Sequence, residues 1–580
     1  MGTGFTIDTP IKVARFGISS VVSLVDDVLI EQMRKYHSER LGFPYQAIPE
    51  SDPDPRARRI TEFLNLQKTI LDSQMEQLRS EPFEPGRDIV KYFEMLPDGE
   101  LRSRYLAMTA LTDPTARRAA QDALRAGILP GSIDVNIMTK LDADEYRDGQ
   151  KRPPEYSHAS AALRGFAQSD LDAAIVISAG MNKRLFEYMT QFADFYPNVD
   201  GHIKKRIVLK VSDMRSAYVQ SKYLARKGLW VSEFRIESGL NCGGHAFAAN
   251  GVLLGPILDE FREKRSALGC EICEMYKESL AKYGKTLPSK TPPVRVTAQG
   301  GIATAEEDRF LIDYYKLDGT GWGTPFLLVP EAINLDADHI QRLIDATDKD
   351  VELSDSSPVG IPFWTLRTAE SEVARKRRIA EGKPGAPCPK GYLVSNTEFT
   401  ERPICVASRA WQKLKLERIK SDSSLSEDLK RRLTEKALGK ACICHDLGGG
   451  TTKPLGIDPS ATACVCAGPN IVNFSRVASL SEMLDHIYGR RALPVRAERE
   501  NMFINELEIN VRQMEKELDE SDAGVAVKPA KYFTEYRENL LCGIEYYRTH
   551  ANEIAGKNAG RFIAALDRIS ETVRRPATIV

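Results

Sequence analysis

The sequence predicts an α/β protein built on a (β/α)8 TIM barrel, with a helical insertion after the first strand and a mostly helical, cysteine-rich C-terminal region. Short apolar runs alternate with amphipathic segments, a pattern typical of parallel strands joined by helical crossovers. Six to eight such units favour a closed barrel, and an open doubly wound sheet is the alternative. The apolar runs are "SIDVNIMTKL", "LDAAIVISAGM", "RIVLKVSD", "WVSEFRIESG", "PVRVTAQGGI" and "GTGWGTPFLLV".

The remaining elements are predicted from the spacing of apolar residues and from the positions of turn-forming residues. The first strand candidate is "VARFGIS", Val13–Ser19, and residues 27–126 have the spacing and charge of a helical insertion. Beyond about residue 350 the alternation stops, and "HDLGGGTT" (445–452) predicts a flexible loop, with an anion-binding loop as the alternative. We therefore divide the chain into a barrel over 1–365, a cysteine-rich region over 366–480 and a helical region over 481–580.

Composition excludes several classes of function. The chain has 580 residues, 42% of them apolar, and its 80 basic side chains nearly cancel its 81 acidic ones. No global field therefore attracts nucleic acid or an anionic membrane. The N-terminus lacks the order of a signal peptide, and no apolar run approaches the roughly 20 residues that span a bilayer. We expect a cytoplasmic protein, in which ten cysteines indicate metal binding rather than disulfides.

Glycine and polar residues follow the predicted strands. Active sites of barrels lie at the carboxyl ends of the strands, and glycine there lets a ligand approach the main chain and its N–H groups. The sequence therefore predicts a ligand site at this end of the barrel. The residues concerned are Asn136, Gly180, Gly243–His245, Gly300–Gly301 and Gly321–Thr324.

Five of these motifs resemble one family. "PVRVTAQGGIATAEE" and "LDGTGWGTPFLLVPEA" resemble the phosphate-binding half of the nitronate monooxygenase (2-nitropropane dioxygenase) family, which includes flavin-dependent enoyl reductases. "SIDVNIM", "RIVLKVS" and "SGLNCGGH" precede them in the family's order. The resemblance covers roughly residues 10–30 and 130–365, and leaves out the helical insertion and the C-terminal region.

The resemblance implies an FMN-binding barrel. The flavin ring would face Asn136 and Lys210, and a cation beside a flavin stabilises its anionic reduced form. A solvated strand end is the alternative for Lys210, and tight turns without a ligand are the alternative for the glycine pairs. Main-chain N–H groups and one hydroxyl would hold the cofactor and its phosphate, and these belong to Gly243, Gly244, Gly300, Gly301, Gly323 and Thr324.

His245 is the candidate catalytic residue. The resemblance places it over the flavin face, where a neutral imidazole exchanges a proton with substrate. A loop histidine bonded to a carbonyl is the alternative. Cys242 and Gln299 depart from the family's common pattern, which leaves substrate and oxidant open. For Cys242 itself we expect a small packed side chain rather than a reactive thiol.

Six cysteines lie within the cysteine-rich region. Two C-x-C pairs do not match zinc ribbons or ferredoxins, but thiolates at this density favour a soft metal. We expect a [4Fe–4S] cluster, because a flavin neighbour would exchange single electrons with it; zinc and no metal are the alternatives. Four ligands are needed, and the C-x-C pairs and Cys405 are preferred over Cys388. The candidates are Cys388, Cys405, Cys442, Cys444, Cys464 and Cys466.

The sequence thus predicts an FMN-dependent oxidoreductase that transfers hydride or electrons between flavin and a small organic substrate with an activated C=C bond or similar carbon centre. A C-terminal Fe–S site would relay electrons from NAD(P)H or an electron-donor protein. One alternative is an oxygen-dependent, nitronate monooxygenase-like enzyme with zinc or no metal in its C-terminal region. Another is a metal-stapled scaffold without flavin. The long helical segments also suggest a partner surface or a homo-oligomer.

Overall fold

The computed structural model describes residues 3–139, 141–178, 180–246 and 250–575. Its centre is one parallel sheet of seven strands paired in chain order, from β1 to β7. The strands are β1 Ser20–Ser23, β2 Ile133–Ile137, β3 Ala173–Ile177, β4 Lys205–Val211, β5 Val231–Glu237, β6 Arg295–Gln299 and β7 Gly319–Gly321.

The sheet curls into a half-barrel. Residues of its first and last strands, such as Ser20 and Gly319, line the same cavity, which a flat sheet would not allow. Within the described residues β1 and β7 are the two edges, so the structure shows a curled sheet of seven strands and does not confirm the predicted closed eight-stranded barrel. The chain leaves β1 directly into helices, and it returns to the sheet only at β2.

The alternation of side chains along each strand gives the sheet one apolar face and one polar face. In β2, Ile133, Val135 and Ile137 are buried, whereas Asp134 and Asn136 are half-buried and line the cavity. Successive strand residues point to opposite faces, so the apolar face packs under helices and the polar face turns inward. Barrel interiors are usually filled by branched apolar side chains. A polar inner face therefore leaves room for a ligand.

The first strand lies later than predicted. Instead of a strand over Val13–Ser19, the chain forms helix α1, Thr9–Val13, and a 3-10 turn over Ala14–Phe16. Gly17 ends this turn with a φ of +77°, and β1 begins at Ser20. Pro10 in the first turn of α1 favours helix because its fixed φ suits that position.

The insertion folds into helices, and one of them, α3 (Pro55–Ser80), packs against α7 (His158–Gln168). Gly165 lies where the insertion meets α7, and a Cβ there would be 2.6 Å from the carbonyl oxygen of Ala57. Glycine thus permits the close approach of α3 to α7. The insertion comprises α2 Asp27–Leu41, α3 Pro55–Ser80, α4 Asp88–Glu94, α5 Glu100–Thr109 and α6 Pro114–Ala126. The following helices are α7 His158–Gln168, α8 Lys183–Met189, α9 Met214–Ala225, α10 Leu254–Lys282, α11 Ala305–Tyr315 and α12 Ala337–Ile344.

Beyond the sheet come an antiparallel hairpin and further helices. The hairpin pairs β8, Val351–Ser354, with β9, Phe363–Leu366. "HDLGGGTT" is part of helix α16 (Ile443–Thr452) and not the predicted loop, and Gly449 lets this helix pack directly on other backbone, since a Cβ there would lie 2.1 Å from the Thr462 carbonyl oxygen. The helices are α13 Glu370–Ala380, α14 Arg409–Ser421, α15 Glu427–Leu438, α16 Ile443–Thr452, α17 Leu480–Ile487, α18 Met502–Asp522, α19 Ala530–Thr549, α20 Ala551–Ala555 and α21 Ala559–Arg574.

The C-terminal helices share one continuous hydrophobic core with the sheet. Glu506 of α18 is fully buried and accepts the N–H of Leu254, at the start of α10, at 3.0 and 2.9 Å. Tyr547 donates to the same carboxylate at 3.2 Å. Burial raises the pKa of Glu506 to about 7. None of the helices in the described part of the chain has the length and hydropathy to span a membrane.

Candidate functional site

A cavity of about 480 Å³ runs along the inner face of the curled sheet. It extends from Ser132 and Arg295, at the amino ends of their strands, to Lys210 and Gln299 near the carboxyl ends. Its volume lies in the range of roughly 300–1,000 Å³ usual for small-molecule sites. The predicted residues that line it are Asn136, Lys210, Gly243, Gly244, His245 and Gly323.

An ion pair stands at the carboxyl end of the sheet. Lys210 of β4 and Glu237 of β5 lie 3.0 Å apart, and their side chains are 15% and 12% exposed. Both line the cavity, as does Asn136 of β2. Because Glu237 fixes the ammonium in place, Lys210 presents a positioned cation to whatever occupies the cavity. The sequence reading identified Lys210 and missed Glu237, although the alternation of "VSEFRIE" turns its glutamates inward.

The loop after β5 is held in a defined shape. The side-chain amide of Asn241 donates to the His245 carbonyl at 2.6 Å, and its oxygen accepts the N–H of Gly243 at 3.1 Å. His245 Nε2 lies 2.6 Å from Ser357 Oγ, and its ring meets Phe363 edge-on at 5.1 Å. Asn241 and Ser357 therefore orient His245. Sequence reasoning missed both, since Ser357 lies 112 residues away.

Charged side chains line the opposite end of the cavity. Glu233 accepts from Arg235 Nε at 2.9 Å and from the Thr297 hydroxyl at 2.7 Å, and Arg295 lies 3.6 Å from its other oxygen. Burial raises the pKa of Asp134, which accepts the backbone N–H of Ala174 at 3.0 Å. These residues were also missed, and the inward positions of β2, β5 and β6 were the signal that could have found them.

The glycines predicted to hold a phosphate pack against the chain itself. A Cβ on Gly300 would lie 2.0 Å from the Leu240 carbonyl oxygen, and one on Gly301 would lie 2.7 Å from the Leu240 side chain. The Gly300 N–H donates to the Gly321 carbonyl at 3.2 Å, and the Thr324 hydroxyl donates to the Cys242 carbonyl at 3.1 Å. These glycines thus serve tight turns and close packing.

The remaining N–H groups of the predicted phosphate cradle point at a thiol of the chain itself. The backbone N–H groups of Gly323 and Thr324 point at the Cys242 sulfur, and the thiol donates to the Gly321 carbonyl at 3.7 Å. Burial raises the pKa of Cys242. A Cβ on Gly323 would lie 2.6 Å from Cys242 Cβ, so glycine is required for this contact. Cys242 is therefore a packed side chain, as expected, but its sulfur occupies the position that the sequence predicts for the phosphate.

The segment 464–469 covers the same loops. A Cβ on Gly243 would lie 1.9 Å from the Cys466 carbonyl oxygen, and one on Gly468 would lie 2.6 Å from the Asn241 carbonyl oxygen. The Gly244 N–H points at the Cys466 sulfur, and the Cys464 N–H donates to the Asp446 carbonyl at 2.9 Å. Burial raises the pKa of both thiols.

Four of the six candidate cysteines come together elsewhere. A hydrogen bond from Cys405 lowers the pKa of Cys388 to about 6, and a hydrogen bond from Cys444 lowers the pKa of Cys442. Electrostatic contacts join the two pairs in every combination. We call this group the thiol quartet; its members are Cys388, Cys405, Cys442 and Cys444.

The thiol quartet borders the cavity. Cys444 belongs to the quartet and also lines the cavity, together with Ile443 and Leu447 of α16. The Cys388 loop is anchored by Lys390, which forms an ion pair with Asp26, at the N-cap of α2 just after β1. The loop and the sheet are therefore tied to one another through buried charge.

The residues fit a flavin in part. The cavity and the Lys210, Asn136 and His245 side chains fit an isoalloxazine ring, which needs a flat space, a cation and hydrogen-bonding partners. The cradle predicted for the FMN phosphate does not fit, because Leu240, Cys242 and residues 464–469 fill it.

Comparison with known proteins adds one likeness. The chain matches no family model, and no curated protein is similar to it in sequence. One similar solved structure is the enoyl reductase domain of MlnA from the macrolactin biosynthesis cluster of Bacillus amyloliquefaciens, with 14% identity and a TM-score of 0.35. The match covers 70% of this chain and 90% of that one. A likeness of this size establishes no shared activity, and the resemblance to nitronate monooxygenases stays a prediction from the motifs.

Proposed function

We propose that the protein is a flavin-dependent oxidoreductase that acts on a small organic substrate in the cavity of the curled sheet. One observation carries this proposal: Lys210, Asn136 and His245, from three separate parts of the sheet, face one cavity of ligand size. A flavin bound there would supply two-electron hydride chemistry. FMN is the form that the motifs favour, with its ring in the cavity.

Three side chains that line the cavity have separate proposed roles. Lys210, held by Glu237, provides positive charge near the ring, and Asn136 offers an amide for hydrogen bonding. His245, oriented by Ser357, exchanges a proton with substrate. Reduction of an activated C=C bond adds two electrons and two protons, of which His245 delivers one proton. The electrons would come from a reduced electron-donor protein through an iron–sulfur site in the C-terminal region, or as a hydride from a reduced nicotinamide directly to the flavin.

Titration of the full chain with FMN, followed by flavin fluorescence, tests the proposal. We expect one FMN per chain, and binding at least tenfold weaker in Lys210→Met, because that variant leaves Glu237 unpaired beside the ring. Lys436→Met is the control, since it removes a lysine that is also ion-paired, to Glu520 on another face. Binding that is equal in both variants would show that Lys210 does not face the flavin.

Two other results would favour the alternatives. Bound flavin that air reoxidises together with a nitronate substrate, with no iron in the protein, would support an oxygen-dependent nitronate monooxygenase-like enzyme. A colourless protein that takes up no FMN would support a metal-stapled scaffold.

A further inference from the structure

We propose that the thiol quartet binds a [4Fe–4S] cluster and that Cys464 and Cys466 are not among its ligands. The proposal deepens the proposed function and rests on it only for the role of the cluster as a relay. Each quartet thiol interacts with the other three. Cys464 and Cys466 instead interact with each other, and the Gly244 N–H points at the Cys466 sulfur. The chain thus selects four ligands, the number that a cubane needs.

The place of the quartet favours a cluster over zinc. Cys444 lines the cavity, where a redox partner is proposed to bind, and zinc has no redox chemistry to offer there. In the described part of the chain, only Asp336, Asp338 and His339 bring three possible metal ligands within 4.8 Å of one another.

Those three residues do not compete as a metal site. Asp336 caps α12 by accepting the His339 N–H, and His339 Nδ1 lies 2.9 Å from the same carboxylate. Asp338 is exposed and lies 2.8 Å from Arg342. Hydrogen bonds and ion pairs within the helix therefore account for this group.

The surroundings of the quartet suit a negatively charged cluster. Backbone N–H groups of Gly391, Ala407 and His445 point at three of its sulfurs. Hydrogen bonds to sulfur tune the potential of such clusters. Cys442 is also the N-cap of α16, whose positive end faces the site. Cys388 has a φ of +56°, a conformation that side chains rarely adopt, so the fold holds this ligand in place at a cost.

The position of Cys444 gives the cluster a role. Because Cys444 also lines the cavity, a cluster held by the quartet would lie next to a molecule in the cavity, with that side chain between them. Such a cluster would supply single-electron transfer, so a reduced electron-donor protein would need to deliver two electrons, one at a time, for each substrate reduced. Protons travel separately, through His245 and solvent.

Metal analysis of matched cysteine variants tests the ligand set. Cys442 and Cys464 are both 5% exposed, so Cys442→Ser and Cys464→Ser disturb packing to the same degree. The full chain is purified without oxygen, and iron, sulfide, zinc and flavin are measured per chain on the same sample. We expect about four irons and four sulfides in the wild type and in Cys464→Ser, and less than half of that in Cys442→Ser.

One further variant and two checks of folding separate the loss of a ligand from misfolding. Cys388 is the only half-buried member of the quartet, so Cys388→Ser removes a ligand at the smallest cost to packing. Circular dichroism and size-exclusion chromatography confirm that each variant folds. Zinc or no metal in the wild type would overturn the inference, as would equal loss of iron in Cys464→Ser and Cys442→Ser. Iron without flavin would keep the cluster and reject the flavin, whereas flavin without iron would do the reverse.

Discussion

Gly243→Ala tests whether residues 464–469 pack on the loop beside the cavity. Gly243 has a φ of +116°, and an added Cβ would lie 1.9 Å from the Cys466 carbonyl oxygen. Real Cβ atoms stay at least 3.0 Å from such atoms, so the loop and the segment must separate by about 1.1 Å, the difference between the two distances. Neither partner is a flexible side chain that could rotate away.

The expected loss of stability has two parts. Alanine at a positive φ costs about 1–3 kcal/mol. Forcing apart a packed backbone contact costs about a further 1–3 kcal/mol. Gly180→Ala isolates the first part, because Gly180 has a φ of +113° and no atom of the described residues lies within 4 Å of its added Cβ. Gly243→Ala should therefore lose about 2–6 kcal/mol, and Gly180→Ala about 1–3 kcal/mol.

Thermal melting of the two variants, with maleimide labelling followed by peptide mass spectrometry, measures both effects. We expect Gly243→Ala to melt at a lower temperature than Gly180→Ala and to label Cys466, which is 5% exposed in the native fold. Equal melting temperatures together with a protected Cys466 would refute the packing of residues 464–469 on this loop.

Two further predictions concern the cofactor and the core. Because the predicted phosphate cradle is filled, riboflavin should bind within about threefold of FMN in a fluorescence titration, and a tenfold preference for FMN, worth about 1.4 kcal/mol, would contradict this. Glu506 has a pKa raised from 4.5 to about 7, so its contribution to stability is fully present below about pH 4.5 and is lost as the pH rises through 7. The free energy of unfolding should therefore fall by about 3 kcal/mol between pH 4.5 and 8 relative to Glu506→Gln, measured by denaturation at each pH, and parallel profiles would contradict it.

The sheet was largely readable from the sequence because its alternation is strong. "IDVNI" and "VSEFRIE" place apolar residues on one face, and the strands form where these runs lie. The first strand was misplaced because Gly17 and Pro10 favour turn and helix within an apolar run too short to decide. Closure of the barrel was not readable, since the number of paired strands depends on contacts far apart in the chain.

Close packing hid the roles of several glycines. A glycine pair looks the same in sequence whether a ligand or the chain's own backbone lies against it. Gly300 meets Leu240, and Gly243 meets Cys466 from a segment more than 220 residues away, so only the tertiary structure separates the two cases. The three glycines of α16 similarly read as a loop, although burial of the helix outweighs their weak helix propensity. For the same reason the sequence offered six cysteines, and only the fold shows that four of them lie together.

The most direct test of the proposed oxidoreductase is the absorbance spectrum of the full chain, purified without oxygen, before and after reduction with dithionite. We expect flavin bands over a broad iron–sulfur absorption, with both bleached by the reductant and restored on reoxidation. A colourless chain that takes up no added FMN and shows no change on reduction would contradict the assignment of an oxidoreductase.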